Sequence, residues 1–119
     1  MTTANTAQET DRDAGLGAME ALLREVRDHL RYIQRSLDEE IRGYPTPIPR
    51  CDAQFNRLFE QRDRLYRALE RIEAPDPTLS RADCVSLLEE FAASPHYGED
   101  AAEEEIRARV RVELSRSGR

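Results

Sequence analysis

The sequence predicts an all-α protein: a long antiparallel helical hairpin with one or two shorter C-terminal helices packed on it as a small bundle. Three observations predict it. Segments 16–42 and 51–73 carry apolar residues at alternating steps of three and four, the stripe of an amphipathic, coiled-coil-like helix. A proline-rich connector, Gly43-Tyr44-Pro45-Thr46-Pro47-Ile48-Pro49, separates them. Charged residues make up 35% and apolar residues 39%, a balance that suits helices burying one stripe and solvating the rest.

Residues 1–15 are small, polar and acidic, with almost nothing to bury, and are expected to form a disordered tail. A single helical domain, 16–116, should follow. Its first helix runs from about Leu16 to Arg42, with Leu23, Val26, Leu30, Ile33 and Leu37 on one face. Gly43 should end it in a left-handed conformation. In the connector, prolines at every second position exclude a helix, and they push the residues before them to extended geometry.

The second helix is expected from Cys51 or Asp52 to about Glu73. Phe55, Leu58, Leu65, Leu69 and Ile72 form its stripe, which Phe59 and Tyr66 widen. Arg62 is the one interior stripe position that is not apolar. It is expected to run its stem across the seam and reach Asp38 or solvent. Two stripes of matching length should zip antiparallel, with Leu23 to Leu37 facing Phe55 to Leu69. Pro75 and Pro77 then break the chain.

Ser80, with Asp83 three residues on, reads as a capping box. It opens a third helix, 80–93, with Ala82, Val85, Leu88, Phe91 and Ala92 on one side and Pro95 as the stop. The last segment, 99–116, is two-sided. Its acidic start suits a helix N-terminus, and Ala102, Ile106, Val110 and Leu114 share a helix face. Yet Ile106 to Leu114 also alternates like a strand, which would pair between chains. We take the helix.

The charge balance narrows the function classes. Net charge is −6, and all 18 basic residues are arginine. A coding bias is the plainer reason for the missing lysine, ahead of a need for bidentate pairing. The acidic balance argues against nucleic acid, which wants a basic face, and against an anionic membrane surface. Residues 1–17 lack the basic start and apolar run of a secretory signal, and no apolar run is long enough to span a bilayer. A cytoplasmic protein is expected.

No catalytic motif is present. There is no phosphate-cradling glycine loop, no G-x-S-x-G, no H-E-x-x-H and no Glu-x-x-His of a di-iron bundle. By elimination the chain reads as a non-enzymatic accessory or adaptor protein, acting on another protein or on itself as a homo-oligomer. The connector is the favoured contact site, with Tyr44, Ile48, Arg50 and Cys51 as binding residues. It is rigid, partly apolar and costs little entropy to dock; the plainer reading is a stiff hairpin closure whose Tyr44 and Ile48 cap the helix ends.

The alternative is a small metal- or haem-binding sensor or carrier. Cys51, beside Arg50 at a helix start, would feel a cation and the helix dipole, both of which lower a thiol pKa. His29 and His96 are its candidate co-ligands. The plainer readings are a small residue at a helix start for Cys51, a partly exposed stripe-edge residue for His29 and an exposed loop residue for His96. Cys84 reads as a packed small hydrophobe. No cofactor is required by any of these readings.

Overall fold

The computed structural model describes residues 3–73 and 80–116. It is all-α, with α1 at Thr3–Arg42, α2 at Ala53–Ile72, α3 at Arg81–Ala93 and α4 at Ala101–Arg116. The proline break expected at 74–78 lies outside the described residues.

The first helix begins at Thr3, not near Leu16, and so extends into the segment read as a disordered tail. Ala4, Ala7, Gln8, Glu9 and Ala14 are good helix formers, and no proline interrupts them. Once the 19–37 stripe has nucleated the helix, each further turn adds a hydrogen bond per residue fixed. At the other end Gly43 donates its N–H to the Glu39 carbonyl at 2.9 Å without taking the left-handed backbone expected of it.

Helices α1 and α2 run antiparallel. Tyr66 and Arg62 meet Asp38, and Arg31 reaches Glu73 just past the end of α2. The register differs from the expected one. With Arg31 level with the last turn of α2, Leu23 and Val26 lie beyond it. There α4 takes over, with Arg109 pairing to Glu25 at 2.8 Å. The α1 stripe is therefore shared: its C-terminal half packs on α2 and its N-terminal half on α3 and α4.

That division explains why the α1 stripe is longer than the α2 stripe. Met19, Leu22, Leu23, Val26, Leu30, Ile33 and Leu37 are all buried, against Leu58, Leu65 and Leu69 on α2. Burying each such side chain contributes about 1.5–3 kcal/mol.

Helix α3 follows the expected bounds, and its capping box is present. Ser80 Oγ accepts from the Asp83 N–H, and the Asp83 carboxylate accepts from the Ser80 N–H. Its buried residues are Cys84, Val85, Leu87, Leu88 and Phe91, whereas Ala82 is exposed. Replacing Ser80 with Ala is expected to cost about 1 kcal/mol, read as a lower denaturant midpoint at unchanged slope.

The alternating segment 106–114 is helical. Its buried face is Glu103, Ile106, Arg107 and Val110. Ala102, expected on that face, is exposed. Two charged residues therefore share the packing face with Ile106 and Val110, while Leu114, half-buried, packs against the core as expected.

Candidate functional site: a buried ionic centre and a half-buried aromatic strip

The two buried charges of α4 organise the chain between α3 and α4. Glu103 is fully buried and Arg107 is 2% exposed. Glu103 Oε1 accepts from His29 Nε2 at 3.0 Å and from the Gly98 N–H at 2.9 Å. Its Oε2 accepts from the Tyr97 N–H at 2.9 Å and from Arg107 Nε at 3.0 Å. A carboxylate offers about four acceptor positions, and four donors fill them.

Arg107 continues outward from there. One terminal nitrogen donates to the carbonyls of Phe91 and Ser94, at 3.0 and 2.9 Å. The other reaches Ser94 Oγ at 3.3 Å and the Pro95 carbonyl at 3.1 Å. The guanidinium also lies 4.5 Å from the Phe91 ring centroid. It thus gives the Ser94 carbonyl a partner and adds to the bond that the Phe91 carbonyl already accepts from the Ser94 N–H.

Helix α2 holds the same loop from its other side. Arg64 donates to the carbonyls of Pro95 and His96 at 3.1 and 2.7 Å, and Gln61 donates to that of Tyr97 at 2.8 Å.

Burial alone would raise the Glu103 pKa. The four hydrogen bonds, from His29, the Tyr97 N–H, Arg107 and the Gly98 N–H, outweigh it and hold the carboxyl below the ordinary glutamate range. With its four acceptor positions filled, the carboxylate ties together α1, the 97–98 loop and α4.

His29 is therefore a buried partner of Glu103, 8% exposed, and not the partly exposed stripe-edge residue expected. His96 is exposed, as expected of a loop residue, and contacts Glu104. Cys51 is an exposed free thiol, and Cys84 is free and buried; burial pushes the Cys84 thiol pKa up. Cys51 does not begin the second helix. Asp52 is the N-cap, accepting from the Phe55 N–H at 3.0 Å. Among the described residues no group of three or more His, Cys, Asp or Glu side chains lies close enough together to hold a metal ion.

The second constellation is on the surface of the hairpin. Tyr44 packs against Phe55 with centroids 4.9 Å apart and ring planes inclined at 58°, and Phe55 meets Phe59 edge-on at 4.8 Å. The Arg62 guanidinium lies 5.4 Å from the Phe59 centroid and 5.1 Å from that of Tyr66. Positions 55, 59, 62 and 66 follow the i+4, i+3, i+4 spacing of one helix flank. The strip covers about 17 Å at 1.5 Å per residue.

Asp38 anchors its far end. It accepts from the Tyr66 hydroxyl, and it sits 3.8 Å from Arg62 Nε. That is an ion pair but not a hydrogen bond, and Nε is buried with no acceptor among the described residues. Arg62 thus takes the course expected of it, across the seam to Asp38. Phe59 is 37% exposed.

At the near end Tyr44 donates to Asp52 at 2.8 Å. That bond, then burial and the Asp52 charge, raise the Tyr44 pKa. The Phe55 N–H and Tyr44 lower that of Asp52. Replacing Asp52 with Ala should let the Tyr44 phenol titrate nearer the ordinary value of about 10, followed by NMR of the tyrosine rings. An unmoved Tyr44 titration would show that the cap and the ring are not coupled.

The strip lies on the flank of the hairpin that α3 and α4 leave open. They hold the other flank of α1, through His29 and through Ile33, whose Cδ1 is 3.1 Å from where a Gly98 side chain would begin. A groove of 450 Å³ beside the strip is lined by residues of the α1–α2 hairpin alone: Arg31, Gln34, Arg35, Asp38, Tyr66, Leu69, Glu70 and Glu73.

Of the four connector residues expected to bind, the structure brings Tyr44 into the strip. Ile48 is half-buried, and Arg50 and Cys51 are exposed beside it in sequence. Sequence reasoning put Phe55, Phe59 and Tyr66 in the hairpin seam and missed them as a surface. Their signal was the width of the α2 stripe, broader than α1 can cover. Comparisons with protein-family models, curated proteins and solved structures found no match.

Proposed function

We propose that this chain is a non-enzymatic interaction protein, whose binding surface is the open flank of the α1–α2 hairpin. The observation that supports this is the strip Tyr44–Phe55–Phe59–Arg62–Tyr66. Aromatic and arginine side chains are the types that carry most binding energy at protein interfaces. Here they already pack against one another, so docking immobilises few new rotamers.

The two free thiols suit a reducing compartment, and we place the protein in the cytoplasm. Among the described residues no helix is long and apolar enough to cross a membrane.

The test is affinity capture with the immobilised full chain, comparing the wild type with Phe59→Glu and with Tyr32→Glu. Tyr32 is an exposed aromatic, at 53%, lining the groove by the 97–100 loop, away from the strip. Proteins captured by the wild type should be retained by Tyr32→Glu and lost with Phe59→Glu. Equal capture by all three would move the binding surface off the strip.

A further inference from the structure

Resting on that reading of the strip, we infer that its partner is a second copy of this chain, joined through antiparallel pairing of α2 with α2 about a two-fold axis at Phe59. An isologous contact requires a surface that complements itself, and the order of side chains along the strip decides which registers do. In an antiparallel pair related by a two-fold axis, side chains on one edge of the contact meet their equivalents on the same edge.

With the axis between Arg62 and Asp63, Arg62 would meet Arg62 of the second copy and Asp63 would meet Asp63, two like-charge pairs at close range. Moving the axis to Phe59 removes both. Position i then lies level with a position of the second copy such that the two numbers sum to about 118. Phe59 meets its equivalent on the axis. Arg62 falls beside Phe55, where a second ring face extends the cation–π stack it already makes with Phe59 and Tyr66. Asp63 falls beside Asn56, which can donate to it. Tyr66 falls level with the Asp52 cap.

Charge favours the same place. Two chains of net charge −6 repel over most of their surface. The overlapping segment, 52–66, is neutral, with Arg57, Arg62 and Arg64 against Asp52, Glu60 and Asp63. Because Arg31 is level with Glu73 and Asp38 with Tyr66, Phe59 lies level with the end of α1. Pairing there overlaps the hairpin tips and keeps the two α1 helices from running side by side.

The experiment uses the full chain with Cys51→Ala in every cross-linking variant. The pair Asn56→Cys with Asp63→Cys should form intermolecular disulfides on mild oxidation. The two positions are about 10 Å apart along one helix, too far to bridge within a chain. Asp63→Cys alone should not cross-link, because the two-fold at Phe59 separates the equivalent positions by about 12 Å. Sedimentation equilibrium from micromolar to near-millimolar concentration should show a wild-type dimer. It should show a Phe59→Glu monomer with an unchanged helical circular dichroism spectrum.

Cross-linking by Asp63→Cys alone as efficient as by the pair would overturn the register. A wild type that stays monomeric throughout overturns the second copy as partner. In that case, loss of lysate capture with Phe59→Glu would keep the strip as a surface for another protein, and unchanged capture would overturn both readings.

Discussion

Replacing Glu103 with Gln is expected to destabilise the fold by about 3–5 kcal/mol, the cost of removing one partner from a buried ion pair. The substitution keeps the shape and inverts half the chemistry. The carboxylate accepts four hydrogen bonds, from His29, Arg107 and the N–H groups of Tyr97 and Gly98. An amide turns an NH₂ group towards two of those four donors. The Arg107 charge, buried at 2% exposure, would lose its counter-charge. Against a total stability of about 5–15 kcal/mol for a domain, the variant should unfold at much lower denaturant, and α4 should fray first. A midpoint within experimental error of the wild type would show that the centre contributes little.

The pH dependence separates charge from shape. The folded pKa of Glu103 is lowered, so the unfolded chain binds this proton more readily than the folded one. The contribution is complete above the ordinary glutamate pKa of about 4.3 and disappears as pH falls through the lower folded value. The stability gap between wild type and Glu103→Gln should therefore be widest near neutral pH and narrow below pH of about 4. Denaturant titrations at both pH values measure it. A gap that stays constant would assign the loss to packing.

The two ends of the molecule differ in how legible they were. The α3 start was readable because a capping box is local: Ser80 and Asp83 satisfy each other's backbone groups whatever surrounds them. The course of Arg62 to Asp38 was readable because a long side chain in an apolar seam has few exits. His29, Glu103 and Arg107 were not readable, because periodicity assigns charged residues to solvent. Each of the three is paid for by a partner distant in sequence, His29 to Glu103 above all.

One sign was present in hindsight. Glu103 and Arg107 are spaced i, i+4 on the face of Ile106 and Val110, where a solvent pair would not stand. The strip was half legible. Sequence gave the width of the α2 stripe, but only the placement of α3 and α4 against α1 shows which flank stays open.

Arg107→Leu should cost as much as Glu103→Gln, about 3–5 kcal/mol, and the double substitution Glu103→Leu with Arg107→Leu tells what kind of centre this is. A simple buried ion pair replaced by two apolar residues is often neutral or even stabilising. Here the pair also serves the backbone. Arg107 is a donor to the carbonyls of Phe91, Ser94 and Pro95, and Glu103 accepts from the N–H groups of Tyr97 and Gly98. The Phe91 and Pro95 carbonyls would keep their bonds from Ser94 and Arg64, but two leucines would leave the Ser94 carbonyl and the N–H groups of Tyr97 and Gly98 without partners, at about 1–3 kcal/mol for each one that stays buried. The double variant should therefore remain well below the wild type, with a loss smaller than the sum of the single losses because no lone charge is left behind. Wild-type stability in the double variant would mean that the loop finds its own hydrogen bonds, and that the ion pair is dispensable to the junction of α3 and α4.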